Sequence, residues 1–187
     1  MMNPTDSQIA FRLRKIKTNF DRLDVDKDGY MSRMDFELIA KRMNELSNAT
    51  DEQAEACHNA FMHVADTFGY TPGVRIAKEE AIKFGSEVML KKPWEEQRAM
   101  CDNFHNAVFD AVDVNRDGHI SLEEYKTYLQ ALAPDISDED KVKSFNLIDV
   151  NHDSEISREE FLNASFEYFH GFEENELSKV FFGPLVP

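Results

Sequence analysis

Three twelve-residue segments of one acidic design constrain this chain more than any other feature of its sequence. They are DVDKDGYMSRMD at residues 24–35, DVNRDGHISLEE at 113–124 and DVNHDSEISREE at 149–160. In each, oxygen-bearing side chains recur at positions 1, 3, 5, 9 and 12, and an apolar residue (Met31, Ile120 or Ile156) holds position 8. Apolar residues at helical spacing flank both ends. Alternate residues of so tight a turn point inward, so each segment can wrap a hard dication in six to eight oxygens at about 2.3–2.6 Å.

This is the spacing of the EF-hand loop, and it assigns ligands position by position. The first loop offers Asp24, Asp26, Asp28, the carbonyl of Tyr30, Ser32 (directly or through water) and Asp35. The next offers Asp113, Asn115, Asp117, the carbonyl of His119, Ser121 and Glu124. The last offers Asp149, Asn151, Asp153, the carbonyl of Glu155, Ser157 and Glu160. Three Ca²⁺ sites are therefore expected. Asp35 stands where Glu is usual; an arm one methylene shorter favours six-coordination and makes Mg²⁺ a competitor in the Asp24–Asp35 loop. Gly29 and Gly118 give position 6 its backbone freedom, whereas Ser154 in the last loop has a left-handed conformation to sustain, at a cost on the order of 1 kcal/mol. Ser121 with Glu124, and Ser157 with Glu160, have the spacing of a capping box.

EF-hands work in pairs, so a fourth is expected. Aligning Ile76 on position 8 places it at Gly69–Glu80, GYTPGVRIAKEE, where one carboxylate and an arginine cannot hold a dication. The expected fold is all-α: four EF-hands in two pairs, the second hand silent, forming a compact helical bowl with short β-bridges between paired loops. The break at Lys91-Lys92-Pro93 divides residues 1–92 from 93–187. A first helix over about 7–23 is expected to bury Ile9, Leu13, Ile16, Phe20 and Leu23 and to turn Arg12, Arg14, Lys15 and Lys17 outward. Arg22, just ahead of the first loop, could reach a ligand in a cavity but reads rather as solvated. A further helix is expected over 78–90, Cys57 reads as core, and the aromatic C-terminus is expected to pack down.

Composition narrows the function. The 36 acidic and 21 basic residues give a net charge of −15 and a pI of about 4.7, which excludes nucleic acid as a partner and disfavours anionic membranes. Two cysteines make no disulfide scaffold, no secretory leader opens the chain and no run approaches a membrane span, so a cytoplasmic monomer is expected. Met at position 2 excludes N-myristoylation. Six scattered histidines show no repeated ligand spacing, and there is no nucleophile motif, phosphate-cradling loop or acid/base pair apart from metal ligands. The chain does not read as an enzyme.

The segments LRKIKT, SRMDFELIA, VADTFGYTPGVRIAKEEA, ISREEFL and VFFGPLV resemble the invertebrate sarcoplasmic calcium-binding proteins and, within that superfamily, the coelenterazine (luciferin)-binding proteins of sea pansies. The silent-loop stretch is the most specific, because metal binding does not constrain it. The resemblance implies a helical bowl around an apolar cavity holding coelenterazine, with Ca²⁺ releasing the luciferin to a separate luciferase. The 15 Phe and 8 Met are compatible with such a pocket or with a filled core. The alternative is a Ca²⁺/Mg²⁺ buffer without an organic ligand. A photoprotein is disfavoured: the family's two histidine positions hold Ile16 and Ser165 here, and Trp94 is the single tryptophan.

Overall fold

The computed structural model describes residues 4–187. Thr5 opens α1 (Asp6–Leu23): its hydroxyl accepts from the Gln8 N–H while the Gln8 amide oxygen accepts from the Thr5 N–H, a capping box that satisfies two of the first turn's orphan donors. After the first loop come β1 (Tyr30–Ser32) and α2 (Arg33–Leu46), then α3 (Asp51–Thr67), β2 (Arg75–Ala77) and α4 (Lys78–Lys83). The second half runs α5 (Trp94–Val112), β3 (His119–Ser121), α6 (Leu122–Leu132), α7 (Asp138–Ile148), β4 (Glu155–Ser157), α8 (Arg158–His170) and α9 (Glu176–Val180).

Loops pair through their eighth positions. β1 and β2 are antiparallel with Met31 opposite Ile76, and β3 and β4 are antiparallel with Ile120 opposite Ile156. Met31, Ile120 and Ile156 are fully buried, which anchors both bridges in the core. The Ile76 alignment that located the silent loop therefore has a structural counterpart. Capping boxes start α2, α3, α6 and α8 from Ser32, Thr50, Ser121 and Ser157.

The first helix differs from the sequence expectation. Ile9 is exposed, while Arg12, Lys15 and Arg22 are buried along with Ile16, Asn19 and Leu23. The basic residues serve backbone carbonyls: Arg12 donates to those of Ser86 and Gly85, Lys15 to Gly171 at the end of α8, and Arg14 to Leu185 and Val186. Arg22 is buried and not solvated; it pairs with Asp135 at 3.0 Å and donates to the Pro184 carbonyl. A helix in the middle of the fold has carbonyl-rich helix termini around it, and cations satisfy them where apolar residues could not.

The helix expected over 78–90 is not continuous. After α4 the backbone widens into a π-helical turn at Phe84–Val88 and tightens to a 3₁₀ turn at Met89–Lys91. Gly85 sits in the widened turn and faces α1, where an added Cβ would lie in ordinary contact, 3.4 Å from Ile16 Cγ2. Pro93 precedes α5, but Trp94 at its start is exposed and meets Phe166 edge-on. One apolar core runs through both hand pairs and takes in Phe181 and Phe182 of the closing segment. The Tyr125 hydroxyl contributes to that closure, lying 2.7 Å from Ser144 Oγ and donating to the Phe181 carbonyl at 3.1 Å. Among the described residues no helix is long and apolar enough to cross a membrane.

Candidate cation loops and ligand cavity

The three acidic loops share one internal scaffold. At position 3 the side-chain oxygen accepts from the N–H of position 5, in Asp26 to Asp28, Asn115 to Asp117 and Asn151 to Asp153. Position 5 repeats this toward position 7, through Asp28, Asp117 and Asp153. At position 1, Asp24, Asp113 and Asp149 each use Oδ2 to accept the N–H of position 6. These local bonds curl the chain and fix which oxygens remain.

The twelfth residue closes each loop. Glu124 Oε1 accepts from the Val114 and Asn115 N–H groups and Oε2 from the N–H and hydroxyl of Ser121. Glu160 makes the same four contacts to Val150, Asn151 and Ser157. Asp35 spans the same gap with its shorter arm, Oδ1 accepting from Val25 N–H at 3.0 Å and Oδ2 from Ser32 N–H at 2.9 Å. Burial, opposed by those two bonds, raises the Asp35 carboxyl to about 6. The backbone is left-handed at position 4 (Lys27, Arg116, His152) and position 6 (Gly29, Gly118, and Ser154 at φ +71°).

The donor set fits a hard dication. Asp24, Asp26 and Asp28 each offer an oxygen within 4.8 Å of the others, and Asp24 Oδ1 and Asp113 Oδ1 are buried with no protein partner among the described residues. A buried carboxylate oxygen without a donor is costly, and a cation satisfies it. The silent loop lacks this scaffold: Pro72 holds its fourth position, where proline's fixed φ forbids a left-handed turn. It instead sends cations to its neighbour, Lys78 to Asp24 and Arg75 to Asp28, each at 2.8 Å.

A cavity of about 420 Å³ lies among the helices that carry these loops. Its walls come from α1 (Ile16, Asn19, Phe20), α2 (Phe36, Ile39), α3 (Phe61, Val64), α4 and the widened turn after it (Ala81, Phe84), α5 (Phe104, Val108) and α8 (Phe161, Phe169). Volume and lining are those of a site for an organic molecule. Sequence reasoning placed none of these wall residues, and it missed three polar ones: Arg12, His105 and His170. Arg12 carried a signal, because it lies four residues before Ile16 and seven before Asn19, on the stripe that is buried. Burial lowers Arg12 to about 10, and lowers His105 and His170 to about 4. His105 Nδ1 lies 2.8 Å from the Cys101 carbonyl. Both cysteines are buried, free and pushed up by burial, Cys57 to about 11 and Cys101 to about 12, which disfavours the thiolate form.

Comparison with known proteins agrees with this geometry. Residues 102–165 match the EF-hand domain pair. The chain is 41% identical to the luciferin-binding protein of Renilla reniformis over 97% of this chain and 98% of that one. It is 37% identical to the sarcoplasmic calcium-binding protein of Hediste diversicolor over 93% of this chain and 98% of that one. The crystal structure of the coelenterazine-binding protein from Renilla muelleri, in its Ca-loaded apo form, superposes with a TM-score of 0.91 at 41% identity, covering 97% of this chain and 99% of that one.

Proposed function

The chain belongs to the EF-hand family of luciferin-binding and sarcoplasmic calcium-binding proteins, and we propose that within it the protein is a Ca²⁺-triggered carrier of coelenterazine. It is a calcium-binding protein and not an enzyme. The observation that carries the reading is the aromatic cavity whose walls are the helices entering and leaving the acidic loops. α1 and α5 lead into the loops at 24–35 and 113–124, and α8 leaves the loop at 149–160.

In this reading two pairs of hands form a bowl, with residues 1–92 and 93–187 as its halves. Three loops bind Ca²⁺ through Asp24, Asp26, Asp28, Tyr30, Ser32 and Asp35; Asp113, Asn115, Asp117, His119, Ser121 and Glu124; and Asp149, Asn151, Asp153, Glu155, Ser157 and Glu160. Mg²⁺ competes in the first of them. Asp35, Glu124 and Glu160 sit in the first turns of α2, α6 and α8, so drawing their carboxylates toward an ion moves the helices behind them. Coelenterazine then binds the ion-free and ion-loaded forms with different affinity, and linkage makes calcium release it to a luciferase. The acceptor and the cytoplasmic setting belong to the same proposal.

The test uses chelator-treated protein mixed with coelenterazine and separated by gel filtration. Visible absorption should accompany the protein peak and leave it when Ca²⁺ is added. A protein peak without chromophore would overturn the carrier reading and leave a calcium buffer.

A further inference from the structure

The cavity is mostly apolar, with Asn19, Glu80 and His105 as scattered polar wall residues and with Arg12 and His170 where α1 meets α8. There the His170 ring lies flat on Phe166, with centroids 4.3 Å apart and an interplanar angle of 12°. It is 7% exposed and lines the cavity; neither ring nitrogen completes a hydrogen bond among the described residues, the Phe166 carbonyl one turn earlier offering only a loose contact. Arg12, also on the wall, donates through Nη1 to the Ser86 carbonyl at 3.2 Å and through Nη2 to the Gly85 carbonyl at 3.0 Å. Its Nε is buried and unpartnered. Arg12 Nε and at least one His170 nitrogen thus lie unsatisfied in a pocket built mainly from rings and methyl groups. Leaving such groups without partners is costly, so a site of this kind is complementary to something polar.

The chemistry of the missing partner follows from the groups present. A neutral imidazole offers one N–H and one lone pair, and Arg12 Nε offers one N–H. The titratable groups that act on His170 are Arg12, His105 and Lys15, all cationic or neutral. The one acid on the cavity wall, Glu80, comes from α4 and is exposed. An oxygen that accepts from Arg12 and either donates to or accepts from the imidazole completes the set.

We propose that His170 and Arg12 anchor an acidic oxygen of the cavity ligand, a phenol, an enol or the corresponding anion, at one end of an otherwise apolar multi-ring molecule. The inference rests on the cavity being a ligand site and narrows the class of molecule it takes. His170 sets the orientation of the ligand in the bowl and discriminates against analogues in which that oxygen is replaced by hydrogen.

Two probes of similar ring body separate the anchor from the pocket: anilinonaphthalene sulfonate carries an anionic oxygen group, and phenylnaphthylamine lacks it. Fluorescence titration of the full-length protein should show the sulfonate favoured by roughly tenfold, the worth of one buried charge-assisted hydrogen bond. H170F should abolish that preference without weakening phenylnaphthylamine, and H170Q, which keeps a donor and an acceptor, should recover part of it. Should H170F not fold, R12M reads the same ratio. Wild-type protein that does not discriminate the pair, or variants that discriminate as wild type does, overturn the anchor. Coelenterazine retained equally by wild type and H170F also overturns it while the carrier reading stands. Discrimination lost in H170F, from a wild-type protein that retains no coelenterazine, keeps the anchor and removes the carrier reading.

Discussion

The Lys78 ammonium lies 2.8 Å from Asp24 Oδ2, so the silent loop sets a fixed cation against the first ligand position of its neighbour. The same ammonium is 3.6 Å from Asp21, and Arg75 reaches Asp28 at 2.8 Å with its guanidinium 3.7 Å from the Tyr30 ring centroid. The first loop carries four carboxylates, Asp24, Asp26, Asp28 and Asp35, and two cations from across the β-bridge offset them. A loop poor in carboxylates thereby sets the electrostatics of its acidic neighbour.

Removing the lysine charge should strengthen the first site. Lys78 is partly buried beside Asp24 and would repel a dication held on the same carboxylate. With surface screening discounted, K78M should raise the Ca²⁺ affinity of one site by roughly fivefold to tenfold and leave the other two unchanged. Calorimetric titration resolves the sites; an unchanged isotherm would show that Lys78 exerts no field at the first loop.

In the last loop, Ser154 holds φ +71°, a conformation that favours glycine. S154G should stabilise the native state by about 1 kcal/mol, reduced by the greater freedom glycine gives the unfolded chain. Thermal unfolding with and without Ca²⁺ measures this, with the larger gain expected in the loaded form. A fall in Tm under both conditions would mean that unfolded-state entropy outweighs the relieved strain.

The loops were legible because their ligand spacing is a local code: Met31, Ile76, Ile120 and Ile156 pair as the eighth-position pattern requires, and Ser121 and Ser157 cap the helices that follow. The first helix was not, because amphipathic periodicity reads charge as exposure. Arg12, Lys15 and Arg22 are buried to satisfy carbonyls contributed from residues 85–86, 171 and 184, and no window along α1 records those partners. The cavity was hidden for a similar reason. Its wall residues are the same Phe, Ile and Val that would fill a solid core, and only their arrangement leaves space. The π-helical turn at Phe84–Val88 packs on α1 through Gly85, a tertiary contact that no local pattern records.

Asp35 bridges its loop with both oxygens committed to Val25 and Ser32 N–H groups, as Glu124 does with a longer arm. D35E should supply a second oxygen to the ion and raise Ca²⁺ affinity at this site by about tenfold, with little change for Mg²⁺, whose octahedral shell has no room for bidentate ligation. Competition titrations of Ca²⁺ against Mg²⁺ check it. Equal gains for both ions would indicate a charge effect and not a change in coordination number.

Two imidazoles buried neutral make stability depend on pH. Burial lowers both His105 and His170 from the usual 6.5 to about 4. Between those values the unfolded chain binds protons that the native state refuses, so stability rises with pH across the window and is lost as pH falls from 6.5 toward 4. Each histidine should account for on the order of 2–3 kcal/mol by the bottom of the range. Asp35, raised to about 6 by burial, titrates in the opposite sense and stabilises the ion-free protein as it protonates. The histidine contribution is therefore isolated as a difference. Urea unfolding in chelator at pH 7 and pH 4.5 should show wild type losing more stability than H105Q/H170Q, because glutamine removes the titration while keeping polarity. Equal losses in the two proteins would mean that both imidazoles protonate inside the native fold without penalty, and the polar end of the cavity would then be open to water.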